Sequence, residues 1–313
     1  MNMRICSLVP GATEVVALLG FGDALVGISH ECDYPSALRG VPVMVQPAID
    51  SDATCSGEID QQVKALASSG RPLYRVDVQA LAQARPDIIL TQDVCHVCAV
   101  TPGELEQAIR SLPHRPQLLT LAPQSLADVI DDVERIGAAL GAASLGRDLG
   151  QSLRSRIAAV RTKAAGRSKP RVACLEWLAP LYAGGHWVPD IVEIAGGQDV
   201  LGQSGQPSRQ VTLEEVRAGA PEIVILMPCG FSLSRTVSEL TALCRTDAAC
   251  SDFLQSAPRT YAVDAGSYFS RPGPRLVDGL ELMAELCGDM ERSNPSDAVL
   301  NLTGHGCLAG HSL

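Results

Sequence analysis

The sequence predicts an α/β protein with two Rossmann-like lobes, each built on a parallel sheet, joined by one long helix. Strand and helix signals alternate in both halves of the chain, and the segment between the halves is helical without a strand. A length of 313 residues also exceeds the usual size of one simple domain. In such a fold the ligand cleft lies between the lobes. We expect an N-terminal lobe at 1–143, a bridging helix at 144–167, a C-terminal lobe at 168–290 and a flexible tail at 291–313.

The N-terminal half begins with a short apolar run, RICSLV, followed by a turn and the helical pattern PGATEVVALLG. Strand signals recur in ALVGIS, PLYRVD, DIILTQ and QLLTL, and helical patterns such as EIDQQVKALAS and PGELEQAIRSL lie between them. Strands that alternate with helices favour parallel βαβ units with right-handed crossovers.

The middle of the chain, from Ser125 to Gly166, reads as helical almost throughout, with a break near Gly141 that predicts two helices. The second, at 145–165, would be ~30 Å long at ~1.5 Å per residue, which is enough to join two lobes. Strand signals then resume in RVACLEWL, EIVILMPCG and RTYAVD, and the periodicity ends after Gly288.

The composition excludes several classes of partner. A net charge of −10 argues against nucleic acid or an anionic membrane as the main partner, since both require a basic face. The chain contains no apolar run of the ~18 residues that a transmembrane helix needs. The N-terminal MNMRICSLVPG lacks a signal-peptide pattern, and the 11 cysteines are an odd number. We therefore expect a cytoplasmic protein whose cysteines are thiols or metal ligands.

The carboxyl ends of the predicted strands carry the candidate binding residues, because ligands of parallel α/β sheets bind in the loops that follow the strands. These residues are Pro10, Gly11, Ala12 and Thr13; His30, Cys32 and Tyr34; Gln92, Cys95, His96 and Cys98; and Tyr182, Trp187, Cys229, Tyr268, Phe269 and Arg271.

Four of these cysteines allow a metal centre. Cys95 and Cys98 form a CxxC pair, and Cys32 and Cys229 also follow strands, so the four thiols could hold zinc or an iron–sulfur cluster. The same cysteines are equally compatible with simple packing or with direct contact to an organic ligand.

The motifs of common enzymes are absent from the sequence. It contains no GxSxG elbow, Walker loop, GxGxxG fingerprint or HExxH helix. We therefore predict that the protein is not an enzyme, although an uncharacterised activity that uses the His–Cys cluster stays an alternative.

Long stretches of the sequence resemble a known family. The segments SLVPGATEVVALLGFGDALVGISHECDYP, QARPDIILTQ, AGGHWVPDIVEIAGGQDVLG, VTLEEVRAGAPEIVILMPCG and YAVDAGSYFSRPGPRLVDGLELMAELC are similar to the helical-backbone substrate-binding proteins of ABC importers. Among these, the cobalamin-binding members are the most similar. The resemblance implies two α/β lobes joined by a long helix, with the ligand between them.

The resemblance also implies roles for individual residues. The turn Pro10–Thr13 would open the floor of the cleft, and Tyr34 would pack on the corrin ring. Tyr182 and either Tyr268 or Phe269 match aromatic contacts of the second lobe, and Arg271 follows them. The surface carboxylate Glu214 matches a position that docks on the permease. Where the family has tryptophans, this chain has TCSGEID, QDVCHVC and GQPSRQV.

Together these observations predict a binding protein that captures cobalamin or a related corrinoid or metal-bearing ligand and is linked to ABC import. Its partners would be a small-molecule ligand and an ABC permease. The alternative is a cytoplasmic binder of a metal ion or an iron–sulfur cluster, or an enzyme that uses the same cysteines.

Overall fold

The computed structural model describes residues 3–49, 55–94, 102–110, 112–256, 259–288 and 297–303. The chain forms two compact units. The first comprises Met1–Pro123, Ala127–Arg154 and Pro272–Pro274, and the second comprises Gln124–Leu126, Ser155–Arg271 and Arg275–Leu313. The domain limits expected from the sequence stay a prediction.

The first unit contains a six-stranded sheet in the order β4-β3-β2-β1-β5-β6. Every neighbouring pair is parallel except β3 and β4. The strands are β1 (Ile5–Ser7), β2 (Leu25–Ser29), β3 (Val43–Pro47), β4 (Tyr74–Val76), β5 (Ile88–Gln92) and β6 (Gln117–Leu121). The helices are α1 (Pro10–Leu18), α2 (Ser56–Ser68), α3 (Val78–Ala84), α4 (Pro102–Arg110) and, except for its first residue, α5 (Leu126–Ala139). Helix α6 (Ala143–Ala164) begins in this unit and ends in the second.

The second unit contains a sheet in the order β10-β8-β7-β11-β12-β13, with β9 paired to β7. The strands β9, β7, β11 and β12 are parallel, whereas β8 and β13 are antiparallel to their inner neighbours. The strands are β7 (Arg171–Leu178), β8 (Leu181–Ala183), β9 (Gln198–Asp199), β10 (Arg209–Gln210), β11 (Ile223–Leu226), β12 (Arg259–Val263) and β13 (Val299–Asn301). The helices are α7 (Val188–Ile194), α8 (Leu213–Ala218), α9 (Leu233–Thr246), α10 (Ala248–Ser256), α11 (Ala265–Tyr268) and α12 (Leu276–Cys287).

The predicted fold class is confirmed: the chain is an α/β protein with two mostly parallel sheets. All residues of β5 and β11 are buried, as expected for parallel strands that are covered on both faces. Strand β13 lies inside the segment for which the sequence predicts a flexible tail. No helix among the described residues is long and apolar enough to cross a membrane.

In both sheets the order in which the strands are added reverses next to the strand that comes first in the chain. In the first unit β1 lies between β2 and β5, so the chain builds one side of the sheet and then returns to the other. In the second unit β7 lies between its parallel neighbours β9 and β11 in the same way. At such a switch point the connections leave in opposite directions, and a crevice opens at the carboxyl ends of the two strands.

Helix α6 contains the boundary between the units, which falls between Arg154 and Ser155. Within the first unit, the guanidinium of Arg154 lies 2.7 Å from Asp131 of α5. Within the second unit, Arg156 donates to Glu281 at 2.9 Å and to Asp278 at 2.6 Å, both on α12. On each side of this boundary, near the middle of α6, an arginine is thus paired with acidic residues on a helix of its own unit.

Helices α5 and α6 cross at a point where neither has a side chain. A Cβ atom on Gly137 would lie 2.7 Å from the Cα atom of Gly146, and one on Gly146 would lie 3.0 Å from the Cα atom of Gly137. The opposing atoms belong to the backbone, which cannot move aside as a side chain does. The close crossing therefore requires glycine on both helices.

Gly137→Ala should lower the free energy of unfolding by about 1–3 kcal/mol, because the new methyl group forces the two helices apart. Gly103→Ala is the matched control, since a Cβ atom at this helical position has no neighbour within 4 Å. The control should raise stability by about 0.5–1 kcal/mol. Urea denaturation measures both, and equal effects of the two variants would contradict the close crossing.

Asp199 is a carboxylate held in a buried environment. Its Oδ1 accepts hydrogen bonds from the backbone N–H groups of Leu201 at 2.9 Å and Gly202 at 2.7 Å. Its Oδ2 is buried without a hydrogen-bond partner in the described part of the chain. Burial raises the pKa of Asp199 above its ordinary value of 3.8, so ionisation of this group opposes folding.

Asp199→Asn should stabilise the protein at pH 7 and leave its stability near pH 3 unchanged. The wild type loses stability as the pH rises through the raised pKa of the folded state, whereas Asn keeps the accepted hydrogen bonds and does not ionise. Unfolding temperatures measured across this pH range test it, with the exposed Asp148→Asn as control. A stabilisation that is the same at pH 3 and pH 7 would contradict the assignment.

Candidate functional site

The carboxyl edge of the first sheet brings polar residues together at its switch point. Strand β1 ends at Ser7, β2 ends at Ser29 and β5 ends at Gln92, and all three residues are buried. Of these, the sequence analysis names only Gln92 as a binding residue.

A cluster of hydroxyl and thiol groups fills the space beneath this edge. The Thr13 hydroxyl lies 2.8 Å from Ser7 Oγ and 3.0 Å from the Cys32 sulfur. The Cys32 sulfur also lies 3.7 Å from Ser29 Oγ. Thr13 and Cys32 are both buried, so their contacts are with the protein and their position favours a structural role.

The backbone at Pro272 covers the first turn of α1. A Cβ atom on Gly11 would lie 2.0 Å from the carbonyl oxygen of Pro272, so this backbone occupies the place where a side chain would be. Gly11 and Ala12 are buried, and Pro10 is partly exposed. Contact between this turn and a ligand stays a prediction, and Pro10 is the member with exposed surface.

His30 and Tyr34 differ in their surroundings. The ring nitrogens of His30 lie 3.2 Å from the Val45 carbonyl oxygen and 3.3 Å from a Glu31 carboxylate oxygen. Its ring is 5.9 Å from that of Tyr74. Tyr34 is 46% exposed. His30 is therefore held by its own unit, whereas Tyr34 has surface to offer to a ligand.

The switch point of the second sheet carries an aromatic group that the sequence analysis did not select. Trp177 lies near the end of β7 and is partly exposed. Its ring meets the ring of Phe231 edge-on at 5.3 Å, and the guanidinium of Arg235 stacks on Phe231 at 3.8 Å. Edge-on aromatic pairs and cation–π stacking hold such rings in place. Trp177 could have been identified from the sequence, because it lies near the end of an apolar strand, shortly before Pro180.

Tyr182 lies next to Trp177. The two residues are paired across the antiparallel ladder of β7 and β8, so they are direct neighbours on two strands. Both are partly exposed. The structure thus places the predicted aromatic contact Tyr182 beside a second aromatic side chain.

Glu176 fixes the loops next to this pair. Its carboxylate accepts hydrogen bonds from the Gly185 N–H group at 3.1 Å and from the Ser208 hydroxyl. A Cβ atom on Gly185 would lie 2.3 Å from the backbone nitrogen of Ser208, so the two loops require glycine at this contact. The carboxylate therefore joins the loop after β8 to the loop before β10.

Two of the predicted aromatic contacts are part of the core. Trp187 is 5% exposed and Phe269 is 2% exposed. The indole N–H of Trp187 donates to the Phe269 carbonyl oxygen at 2.8 Å. Tyr268 and Arg271 are partly exposed on either side of Phe269. Within this group the latter two have surface that a ligand could contact.

The loops after β11 and β12 are tied to each other. The Gly230 N–H group donates to Ser270 Oγ at 2.9 Å, and the Gly266 N–H group donates to the Phe231 carbonyl oxygen at 2.9 Å. Cys229 lies in the first of these loops, where its N–H group donates to the Glu176 carbonyl oxygen at 2.9 Å. These bonds fix the backbone that carries Phe231.

His186 has an uncommon backbone conformation. Its φ angle is +50°, and its N–H group donates to the Gln206 carbonyl oxygen at 2.6 Å. Its ring is 5.6 Å from the Trp187 ring. Burial lowers the pKa of His186, which favours a neutral imidazole at pH 7.

The metal hypothesis finds no support in the described part of the chain. Among the residues that the structure describes, no three His, Cys, Asp or Glu side chains are arranged to hold a metal ion. Cys32 and Cys229 therefore do not belong to such a group. Cys95, His96 and Cys98 lie outside the described residues.

Glu214 lies in the first turn of α8 and is exposed. The pKa of its carboxylate is lowered, first by a hydrogen bond from its own backbone N–H group and then by the Thr212 side chain. It is thus a charged surface group at a helix N-terminus, where a carboxylate is favoured.

Comparisons with known proteins agree with this fold. The periplasmic binding protein family model matches residues 5–251. The vitamin B12-binding protein of Vibrio cholerae serotype O1 is 22% identical over 284 residues, which cover 89% of this chain and 86% of that protein. The crystal structure of the periplasmic vitamin B12-binding protein of Vibrio cholerae has a TM-score of 0.65 at 20% identity and covers 92% of this chain and 98% of that one.

Haem-binding proteins have the same fold. The periplasmic haem-binding protein of Roseiflexus sp. RS-1 has a TM-score of 0.65 at 20% identity, with 90% of this chain and 97% of that chain covered. A periplasmic haem-binding protein of Pseudomonas aeruginosa has a TM-score of 0.68 at 17% identity, with 96% and 98% covered.

The predicted cytoplasmic location is wrong. The matching family model describes periplasmic binding proteins, and the solved relatives above are periplasmic. The prediction rested on the first residues of the sequence and on the number of cysteines, and neither determines the compartment of a member of this family.

Trp187→Phe should lower the free energy of unfolding by about 1–3 kcal/mol, because it removes buried area and leaves the Phe269 carbonyl oxygen without its donor. Trp177→Phe, at a partly exposed position, should change it by less than about 1 kcal/mol. Urea denaturation of the two variants checks this contrast. Equal losses, or a larger loss for Trp177→Phe, would contradict the structural role of Trp187.

Proposed function

The chain belongs to the periplasmic binding protein family, and on this premise we propose that it captures cobalamin or a related corrinoid for an ABC importer. Members of this family bind small molecules and deliver them to a permease, and they are not enzymes. The vitamin B12-binding relatives support the choice of ligand.

The observation that carries the proposal is the aromatic surface at the switch point of the second sheet. Trp177 and Tyr182 are neighbours across two strands, and both are partly exposed. The Phe231 ring meets the tryptophan ring edge-on, and Arg235 stacks on Phe231. A corrin is a broad, partly apolar disc, and fixed aromatic faces bind such a disc with little loss of side-chain entropy.

Polar groups would orient the disc. The periphery of cobalamin carries carboxamide groups, which donate and accept hydrogen bonds. Tyr268 and Arg271 are partly exposed after β12, and Tyr34 is exposed after β2. A few polar anchors around an apolar surface are the usual composition of a small-molecule site. We assign Tyr268 and Arg271, with Tyr182, as ligand contacts.

Haem is the second candidate ligand. It is also a planar macrocycle, and haem-binding proteins share the fold.

Glu214 would take part in permease docking. It is an exposed carboxylate on α8, fixed in a helix whose N-cap is Thr212. A surface charge of this kind contributes to the rate and orientation of docking more than to its affinity.

Trp177→Ala should weaken cyanocobalamin binding by about tenfold or more, because one stacking face of the site is lost. Isothermal titration calorimetry on the purified protein measures the Kd. Leu145→Ala, an exposed apolar residue on α6, is the control and should leave the Kd unchanged.

Absence of heat and of co-elution when the wild type is mixed with cyanocobalamin would refute the corrinoid proposal. The same titration with hemin tests the second candidate. Tight hemin binding without cyanocobalamin binding would replace the first candidate with the second.

A further inference from the structure

A buried amide oxygen without a hydrogen-bond partner among the described residues lies at the switch point of the first sheet. Gln92 is 8% exposed, and its side-chain oxygen Oε1 has no hydrogen-bond partner in the described part of the chain. Four other buried side-chain oxygen atoms share this property, on Thr91, Asp132, Asp199 and Thr260. Of the five residues, only Gln92 is the last residue of a parallel strand that borders a switch point.

The strand register fixes the face on which Gln92 lies. Ser7 of β1 pairs with Leu90 of β5, and side chains two residues apart on a strand point to the same face. Gln92 therefore lies on the same face as Ser7, one step closer to the carboxyl edge. On its other side it pairs with Leu121, the last residue of β6.

Among the described residues, the strand neighbours of Gln92 provide no free donor for its side-chain oxygen. Leu90 and Leu121 are apolar, and the Ser7 hydroxyl is engaged by Thr13 and by the Val9 carbonyl oxygen. A buried amide oxygen without a hydrogen bond costs free energy, and an apolar side chain of the same size would avoid that cost. A bound molecule that donates a hydrogen bond to Gln92 Oε1 would account for this unpaired oxygen.

We propose that Gln92 is a specificity-determining residue that accepts a hydrogen bond from an N–H group of the ligand and thereby selects an amide-bearing corrinoid over haem. This inference rests on the proposed function of the chain. Corrinoid side chains end in carboxamides, whose N–H groups can donate to Gln92 Oε1. The periphery of haem has methyl, vinyl and ionised propionate groups, and none of these donates a hydrogen bond.

The preference for a corrinoid over haem depends on the cost of leaving Gln92 Oε1 unpaired. A site built to pair a polar group rejects a ligand that leaves the group unpaired more strongly than it rejects a small change of apolar shape. Haem bound at this edge would provide no donor and would leave Gln92 Oε1 buried and unpaired.

The test is Gln92→Met, which keeps the length of the side chain and removes the acceptor. Two opposite effects are expected. The protein without ligand should unfold at a higher temperature, because the unpaired oxygen is gone. The Kd for cyanocobalamin should rise about tenfold, because the ligand amide loses its acceptor. The Kd for hemin should stay unchanged or fall.

The control is Gln61→Met, an exposed glutamine on α2. It should leave both ligand affinities unchanged. Calorimetric titration with each ligand and thermal unfolding without ligand measure all the quantities.

The outcomes separate the inference from the proposed function. If the wild type binds cyanocobalamin and Gln92→Met binds it equally well, the role of Gln92 is overturned and the proposed function stands. If Gln92→Met loses both ligands equally and unfolds at a lower temperature, Gln92 is structural and the inference is also overturned. If the wild type binds no corrinoid, the proposed function fails, and the inference fails with it.

Discussion

The reversal of strand order beside β1 and beside β7 is the constraint on which the site depends. When the connections on the two sides of a parallel strand leave in opposite directions, no crossover helix closes the space above the strand ends. The residues that end these strands are then the ones that a ligand can reach. In the first unit this position is taken by Gln92, and in the second unit it is taken by Trp177.

The two sheet edges differ in chemistry. At the first edge, hydroxyl, thiol and amide groups collect around Ser7, and most of them are paired with one another. At the second edge, aromatic rings and Arg235 form a stack around Phe231. Among the described residues, neither edge carries three His, Cys, Asp or Glu side chains arranged to hold a metal ion.

The fold could be predicted from the sequence because its signals are local. Alternating strand and helix patterns gave the fold class, and the helix expected at 145–165 is α6, Ala143–Ala164. Strand β3 was not predicted, nor were β8, β9 and β10, whose two or three residues carry little periodicity. Strand β13 depends on pairing with β12 and has no local signal of its own.

The site could be predicted only in part, because burial is a property of the folded chain. Gln92 and Tyr182 lie at strand ends, and the sequence indicates both. The sequence also singles out Trp187 and passes over Trp177, whereas the structure buries the first and leaves the second partly exposed. A tryptophan in an apolar run points to the core or to the surface according to tertiary packing, which one sequence does not reveal.

The burial of three thiols could be predicted from the sequence. Cys6, Cys174 and Cys287 lie inside apolar patterns, and all three are free and buried in the structure. Burial raises the pKa of each thiol, that of Cys287 to about 12. The thiolate is the reactive form, so these buried groups react slowly with oxidants whichever compartment the protein occupies.

The most direct test of the account is hydrogen–deuterium exchange of the protein with and without saturating cyanocobalamin. The account predicts slower exchange at the carboxyl ends of β5 and β7 and in the loops that follow them, with little change in the α5–α6 crossing. Unchanged exchange at both strand ends, or protection confined to other surfaces, would contradict it.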